Sequence, residues 1–572
     1  MANGRTRREF LASIGRAVGG SAMLRTMLAM GIGTTLNACG SSSASTALPP
    51  APPPPAPPPP GGQASPRPGD WPANVGVGSS VVVLGGGIAG MTAALEMTRL
   101  GYSCTILEAT DVAGGRNQTI RAGDVVTETT SSQVCNFDVG DELYFNVGPA
   151  RIPHHHEFLL GYCREFGVAL EAFINENRAA LMQSNGSHGG QPVIARRVQA
   201  DTRGHVARLL ALAINQGSLD QELSAADRSN VLTMLRSFGD LDNNFDYTGT
   251  TRAGFPGQED TGSRQRGELL SSMQLQELVA ETFWQNRQGF PEGLDQQATM
   301  LQPVGGMDRI ARAFEAQVLN DLVTGAEVSE IRKTADGVRI SYDRMGAPMQ
   351  IDADFCVCTI PATVLRNIPN DFSAAHQSEI ANFNYTAAGK IAFQSRRFWE
   401  QDHNIYGGIS WTSQDITQIW YPNSGFGQTN GILVGAYIFG GGAGTTFANQ
   451  TPQQRINTAI SQGQRLHPVL NGEAARGISI AWRNVPYQLG AWGTSSPLTL
   501  LTPDDRIVFA GEHLSILLGW REGAILSGCG AGVGGGRVGG RAAGAGWGGA
   551  GGGGGGGGGW GGVGVGGGGG GG

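Results

Sequence analysis

The stretch "SSVVVLGGGIAGMTAALEMTRLGYSCTILEAT" sets Gly85, Gly87 and Gly90 in the order G-x-G-x-x-G and places an acid, Glu108, 18 residues after the last glycine. Each residue type has a physical task in binding a dinucleotide. The first glycine permits a tight turn, the second lets backbone approach a pyrophosphate, and the third lets a helix pack on a strand. Ile88 and Ala89 then open a helix whose N-terminal amides favour an anion. Glu108 stands where a carboxylate can accept from a ribose hydroxyl. These tasks dictate the elements around them: an apolar strand over Val81 to Leu84, an amphipathic helix after the turn, and a second strand ending at Glu108. The pattern reads as a dinucleotide site and leaves NAD and FAD open.

A second stretch, "NVGPARIPHHHEF" at residues 146–158, carries three of the chain's nine histidines in a row. A metal needs ligands that converge, whereas adjacent residues opening a helix fan out by about 100° each. Neither a Glu-x-x-His nor a Cys-x-x-Cys partner stands nearby, so no metal is expected here. The seven cysteines, at 39, 104, 135, 163, 356, 358 and 529, also lack metal spacing. Cys356 and Cys358 lie on an apparent strand with both side chains on one face, as buried apolar cysteines would.

With 40 Lys plus Arg against 47 Asp plus Glu in 572 residues, the net charge is −7, which offers no basic footprint for nucleic acid and leaves small molecules as the expected partners. The front of the chain, "TRREFLASIG", sets Arg7 and Arg8 ahead of Phe10 and Leu11 and resembles a twin-arginine export signal, which implies the twin-arginine translocase as a partner. Arg16 and Arg25 interrupt the apolar run, so no membrane span is expected there. Leu36-Asn37-Ala38-Cys39 resembles a lipoprotein cleavage box, which would make Cys39 a lipid anchor; Asn37 departs from that pattern and leaves simple release open. Export to the periplasm or cell surface is therefore expected, with residues 1–39 as the signal and 40–74 as a Pro/Ser-rich linker whose proline run can form only a semi-rigid polyproline spacer. At the other end the chain turns almost wholly to glycine, so residues 529–572 are expected to be a disordered tail, either a low-complexity extension or the product of a reading-frame change.

Within the body, "DVAGGRNQT" sets Gly114, Gly115 and Arg116 just after Glu108 and Ala109. This resembles the second glycine pair of the flavin-dependent amine oxidases, and further stretches resemble that family's L-amino-acid oxidase branch: "QPVGGMDRIARAF", "AEVSEIRKTADGVRISY", "ADFCVCTIP", "YTAAGKIAFQSRRFW", "YQLGAW" and "RIVFAGEHLSILLGWREGAILSG". The resemblance implies FAD, held non-covalently because the Ser-Gly-Gly-Cys context of covalent flavin attachment is absent. It implies Arg116 at the phosphate and ribose region, Val328 against the adenine, and Glu512 toward the ribityl-phosphate. Gly519, Trp520, Gly523 and Ala524, in the turn and helix start that close the motif, would face the isoalloxazine, where helix amides favour the electron-rich reduced ring. Lys390 would hold a water near the flavin N5, and Trp492 and Trp520 would be aromatic walls guiding an amine. His156 matches a histidine at a helix start, and His513 is expected to be packing near the flavin.

In the L-amino-acid oxidase branch, "YFNVGPARIP" corresponds to a turn, here Gly148, Pro149, Ala150 and Arg151, that brings an arginine to the flavin to grip the substrate carboxylate, with Tyr437 joining it. The implied reaction is oxidative deamination of an L-amino acid to a 2-oxo acid and ammonia, with O₂ as acceptor and hydrogen peroxide as product; Lys390 would assist reoxidation. A flavin monoamine or polyamine oxidase is the nearest rival, a monooxygenase yielding an amide is another, and a catalytically dead chain is a third, because "CGAGVGGGRVGG" stands where the family has an alanine-rich helix. The implied fold is α/β: a doubly wound, Rossmann-like FAD domain from residues 75–150, 298–365 and 501–528, a helical domain at 151–297, and a mixed-sheet substrate domain at 366–500. The 3.6-like spacing of Phe158, Tyr162, Phe166 and Leu170 supports the helical part.

Overall fold

Two apolar strands, β1 (Ser80–Leu84) and β2 (Ser103–Leu107), flank the glycine turn and run parallel, joined by helix α1 (Ile88–Arg99). This computed structural model describes residues 73–255 and 267–539; the stretch expected to be an export signal, Cys39, the proline-rich spacer and the tail beyond Gly539 lie outside the described residues. Strand Phe355–Cys358 pairs with the other side of β1, and Leu322–Val323 and Ile507–Phe509 complete a five-stranded, all-parallel sheet drawn from three separated stretches of chain. Side chains alternate between its two faces. Val81 and Val83 enter one buried cluster, while Val82 and Leu84 enter a second, together with Cys356 and Cys358. Both faces are thus covered, which is why β1 reads as an uninterrupted apolar run.

A second, seven-stranded mixed sheet has as its longest strands the antiparallel pair β3 (Ala388–Arg396) and β4 (Asn430–Phe439). Its far end is made by Leu181–Gln183 and Val193–Ile194, so residues 151–195, expected to be helical, contribute strands as well. The helical period holds only over α2 (Glu157–Glu165): Gly167 adopts φ +69°, the helix stops at Phe166, and Leu170 begins a strand. Arg196–Leu294 forms a compact unit of its own, built on helices Ala195–Asn215 and Ala225–Gly239. These helices close over Ala207, Ala211, Ile214 and Leu235, and Tyr247 donates a 2.6 Å hydrogen bond to buried Asp201.

The expectation of disorder from residue 529 fails in part. Helix α3 (Arg521–Gly539) continues 11 residues past Gly528. A Cβ on Gly528 would lie 2.6 Å from the Ala89 carbonyl oxygen, so the missing side chain is what lets α3 lie on α1. Cys529 packs with its sulfur 3.8 Å from the Tyr162 hydroxyl, and Ala531 is buried. Small residues therefore supply a close helix contact that outweighs their poor intrinsic propensity, which costs about 1 kcal/mol per glycine. The same contact explains why α1, whose sequence reads as amphipathic, is buried from Ile88 through Met97. Among the described residues no helix is long and apolar enough to cross a membrane.

Candidate active site

The carboxyl ends of β1 and β2 open onto a cavity of about 620 Å³. Of the residues assigned from sequence, all but Gly90, Ala150, Arg151 and Gly523 line it. The glycine turn is shaped as the fingerprint demands. A Cβ on Gly90 would sit 2.0 Å from the Gly85 carbonyl oxygen, so α1 could not pack on the turn with any other residue there. A Cβ on Gly87 would meet nothing of the protein within 4 Å, because this glycine faces the open cavity. Gly87 is also the N-cap of α1, without a side-chain cap and without an acid in the first turn. Its amide end is left to an anion such as a pyrophosphate, and the site therefore fits a dinucleotide.

Glu108 braces that turn. One carboxylate oxygen accepts from the Gly86 amide at 2.7 Å, the other from the Thr110 amide at 2.9 Å and hydroxyl at 2.7 Å. A carboxylate has about four lone-pair sites, so capacity for a ribose hydroxyl remains. Val328 lies on strand Ala326–Lys333, next to the bulge that interrupts its pairing. Glu512 ties the opposite wall together: Oε1 accepts from Arg116 at 3.1 Å and from the Gly493 amide at 2.9 Å, and Oε2 accepts from the Gly519 amide at 3.0 Å. Arg116 also donates to the Ala491 carbonyl. Gly519 lies against Trp492, whose ring carbon would be 3.4 Å from a Cβ placed there. Gly523 packs inside α3, where a Cβ would fall 2.2 Å from the Ser515 hydroxyl oxygen.

Lys390 and Tyr437 face each other across the β3–β4 ladder. Burial, together with the charges of Arg151 and Arg521, pushes the Lys390 ammonium down to about 7. Its Nζ donates to the Asn146 carbonyl at 3.0 Å and to that of Gly148, which fastens the strand to the Gly148–Arg151 turn. Arg151 does not line the cavity but lies buried beside it, its guanidinium 4.7 Å from the centroid of the Trp420 ring; Trp420 in turn meets Tyr437 edge-on at 5.1 Å. Burial pushes Arg151 down to about 10, and Tyr437 is its electrostatic neighbour. His513 is buried against Phe383 and Tyr385 and pushed down to about 4, in keeping with packing.

Two residues that sequence reasoning did not select belong to this wall. Trp420 bridges the cations, with Lys390 Nζ 5.2 Å from its ring centroid. Arg521, buried at the start of α3, donates to the Arg151 carbonyl at 2.6 Å and is pushed down to about 9 by burial. A cation opening a helix runs against the helix dipole, and that misfit in "GWREGA" was the available signal. A third difference concerns the histidines. His155 and His156 precede α2 and so escape the helical fan; both turn toward Asp295, with His155 Nε2 at 2.9 Å from its Oδ1. No Glu-x-x-His or Cys-x-x-Cys partner stands nearby in the sequence, and the acid these histidines face arrives from 140 positions away.

The sequence model of the flavin-containing amine oxidoreductases matches residues 88–532. The protein YobN of Bacillus subtilis (strain 168) is 26% identical over 485 residues, covering 78% of this chain and 92% of its own. The flavin-dependent L-tryptophan oxidase RebO of Lentzea aerocolonigenes is 26% identical over 481 residues, covering 78% and 96%. An L-amino-acid oxidase of Echis ocellatus is 24% identical over 480 residues, covering 78% and 87%. Among solved structures, cyclohexylamine oxidase from Brevibacterium oxydans IH-35A superposes with a TM-score of 0.51 at 15% identity, over 80% of this chain and 99% of its own. Putrescine oxidase bound to putrescine gives 0.50 at 16% identity, over 79% and 97%. At such identities these two likenesses establish the fold.

Proposed function

We propose that this chain, which belongs to the family of flavin-containing amine oxidoreductases, deaminates an L-amino acid to its 2-oxo acid, with ammonia and hydrogen peroxide as the other products. That it is an FAD-dependent oxidase follows from the family and from the L-amino-acid oxidases it is similar to. The amino-acid branch rests on one observation: a buried guanidinium, Arg151, beside the cavity and next to Tyr437. A guanidinium held in a site that disfavours its charge gains most from an anion, and its planar fork matches a carboxylate in two parallel hydrogen bonds.

Bound flavin would supply the two-electron chemistry, accepting a hydride from the substrate Cα and passing the electron pair to O₂. The chain's own residues orient and tune. Arg151 and the Tyr437 hydroxyl fix the carboxylate, and Trp492 and Trp520 flank the amine, which holds Cα in a near-attack geometry. Lys390, Arg151 and Arg521 gather positive charge on one side of the site, so an amine is favoured there in its neutral, oxidisable form. The α1 amides, Arg116 and Glu512 would hold the cofactor without a covalent bond. Export through the twin-arginine translocase, with Cys39 as a lipid anchor, completes the proposal and rests on Arg7, Arg8 and the Leu36–Cys39 box.

The test is Arg151→Ala, with peroxide-coupled turnover of the L-amino acids, phenethylamine and putrescine. Loss of one partner of a desolvated charge pair costs about 3–5 kcal/mol, so kcat/KM for the best amino acid should fall by about 10²–10⁴-fold while simple amines stay poor. Undiminished amino-acid oxidation, with simple amines serving equally well, would sink the assignment in favour of a monoamine or polyamine oxidase.

A further inference from the structure

The approach of two adjacent histidines to one distant acid has a chemistry that the oxidase reaction does not use. His155 Nε2 lies 2.9 Å and His156 Nε2 3.9 Å from the same oxygen, Asp295 Oδ1. The second distance is too long for a hydrogen bond. His156 is only 1% exposed, and among the described residues neither of its ring nitrogens has a hydrogen-bond partner. Buried polar atoms are rarely left so. An imidazole enclosed in this way, with an acid facing one nitrogen just beyond hydrogen-bonding range, is arranged for something between them.

The spacing suits a cation. Tetrahedral bonds of about 2.0–2.2 Å hold neighbouring ligand atoms about 3.3–3.6 Å apart. The two observed distances bracket that value, and the three ligand atoms all lie within 4.8 Å of one another. We propose that His155, His156 and Asp295 form a site for a divalent first-row transition metal, zinc in the first instance, with water completing the coordination. Two imidazoles and one carboxylate suit zinc and its neighbours, whereas calcium and magnesium want oxygen ligands. Arg521 opposes a cation at His156 and Glu522 favours one. Asp295 and His155 are both partly exposed, which leaves a path for the ion.

The site would act as a clamp. His156 meets Trp520 edge-on, with ring centroids 5.2 Å apart, and Trp520 lines the cavity. An ion joining His155, His156 and Asp295 would fix the segment that follows Arg151 and, through His156, the ring that packs edge-on against Trp520. The proposal goes beyond the oxidase reading and stands whichever amine is oxidised.

The test uses the untagged flavoprotein, stripped with a chelator, dialysed against zinc chloride and then against buffer, with zinc measured by mass spectrometry and Tm by a thermal scan. One zinc per chain and a rise in Tm of about 2–5 °C are expected. Both should be lost in His155→Ala and Asp295→Asn and kept in His154→Ala, each variant retaining its flavin absorbance as the sign of a folded chain. Cobalt(II) in place of zinc should give visible d–d bands in the wild type, a readout that needs no variant. A wild type that holds no zinc and shows no cobalt bands overturns the proposal, as do folded His155→Ala and Asp295→Asn chains that bind zinc as well as the wild type.

Discussion

Replacing Arg151 by glutamine should retitrate Lys390. The ammonium is held down to about 7 by burial first, then by the charges on Arg151 and Arg521. Lys390 Nζ lies 5.2 Å, and the Arg151 guanidinium 4.7 Å, from the Trp420 ring centroid, so the two charges are at most about 10 Å apart. Two unit charges at about 10 Å and an effective dielectric of about 20 repel by about 1.7 kcal/mol, a little over one pH unit. The repulsion falls on Lys390 because it loses its proton first, while Arg151 still carries its charge. A charged Nζ stabilises the negative charge that develops on oxygen as it is reduced. The rate of reaction of photoreduced enzyme with O₂, followed by stopped flow without amino acid, should therefore be high on the acid side. It should fall through a midpoint near pH 7 in the wild type and near about pH 8 in Arg151→Gln. Lys390→Met should be slow throughout, with no midpoint. A midpoint that stays put in Arg151→Gln, or survives in Lys390→Met, would refute the coupling.

Three other outcomes follow from the same geometry. Gly87→Val places its side chain in the open cavity, so the chain should fold with Tm within about 2 °C of wild type yet purify with its flavin largely lost, as the 450 nm region would report; normal flavin content would refute the pyrophosphate assignment. Gly528→Leu drives a side chain into the Ala89 carbonyl, and overpacking of about 1–3 kcal/mol should lower Tm by several degrees; an unchanged Tm would mean that α3 does not rest there. Replacing Arg7 and Arg8 by lysine should retain the protein in the cytoplasm on cell fractionation, and undisturbed export would count against a twin-arginine signal.

What was legible in the sequence was chemistry carried by neighbouring residues. Gly85, Gly87 and Gly90 specify a turn within six positions, and the turn stands as specified. The alternation of Val81 to Leu84 between two cores follows from the period of a strand. What could not be read depended on distant stretches meeting. Asp295 is nothing in its own neighbourhood and becomes a partner of His155 only through the fold. Trp420 looks like any strand tryptophan until Arg151 and Lys390 arrive over its ring. The helix through Gly539 was missed for a related reason: propensity is counted residue by residue, whereas Gly528 owes its place to the closeness of Ala89.

The contact between Gly528 and Ala89 reaches further than stability. Helix α1 begins at Gly87, where a pyrophosphate would rest, and α3 begins at Arg521, beside the tryptophan that would meet the reacting amine. They lie against each other where Gly528 meets Ala89, Thr92 and Ala93, so a cofactor's anchored end and its reactive end would be gripped by a pair of levers that share this contact as a fulcrum. Anything that wedges the fulcrum open displaces both grips together, and selection could not retune one without disturbing the other.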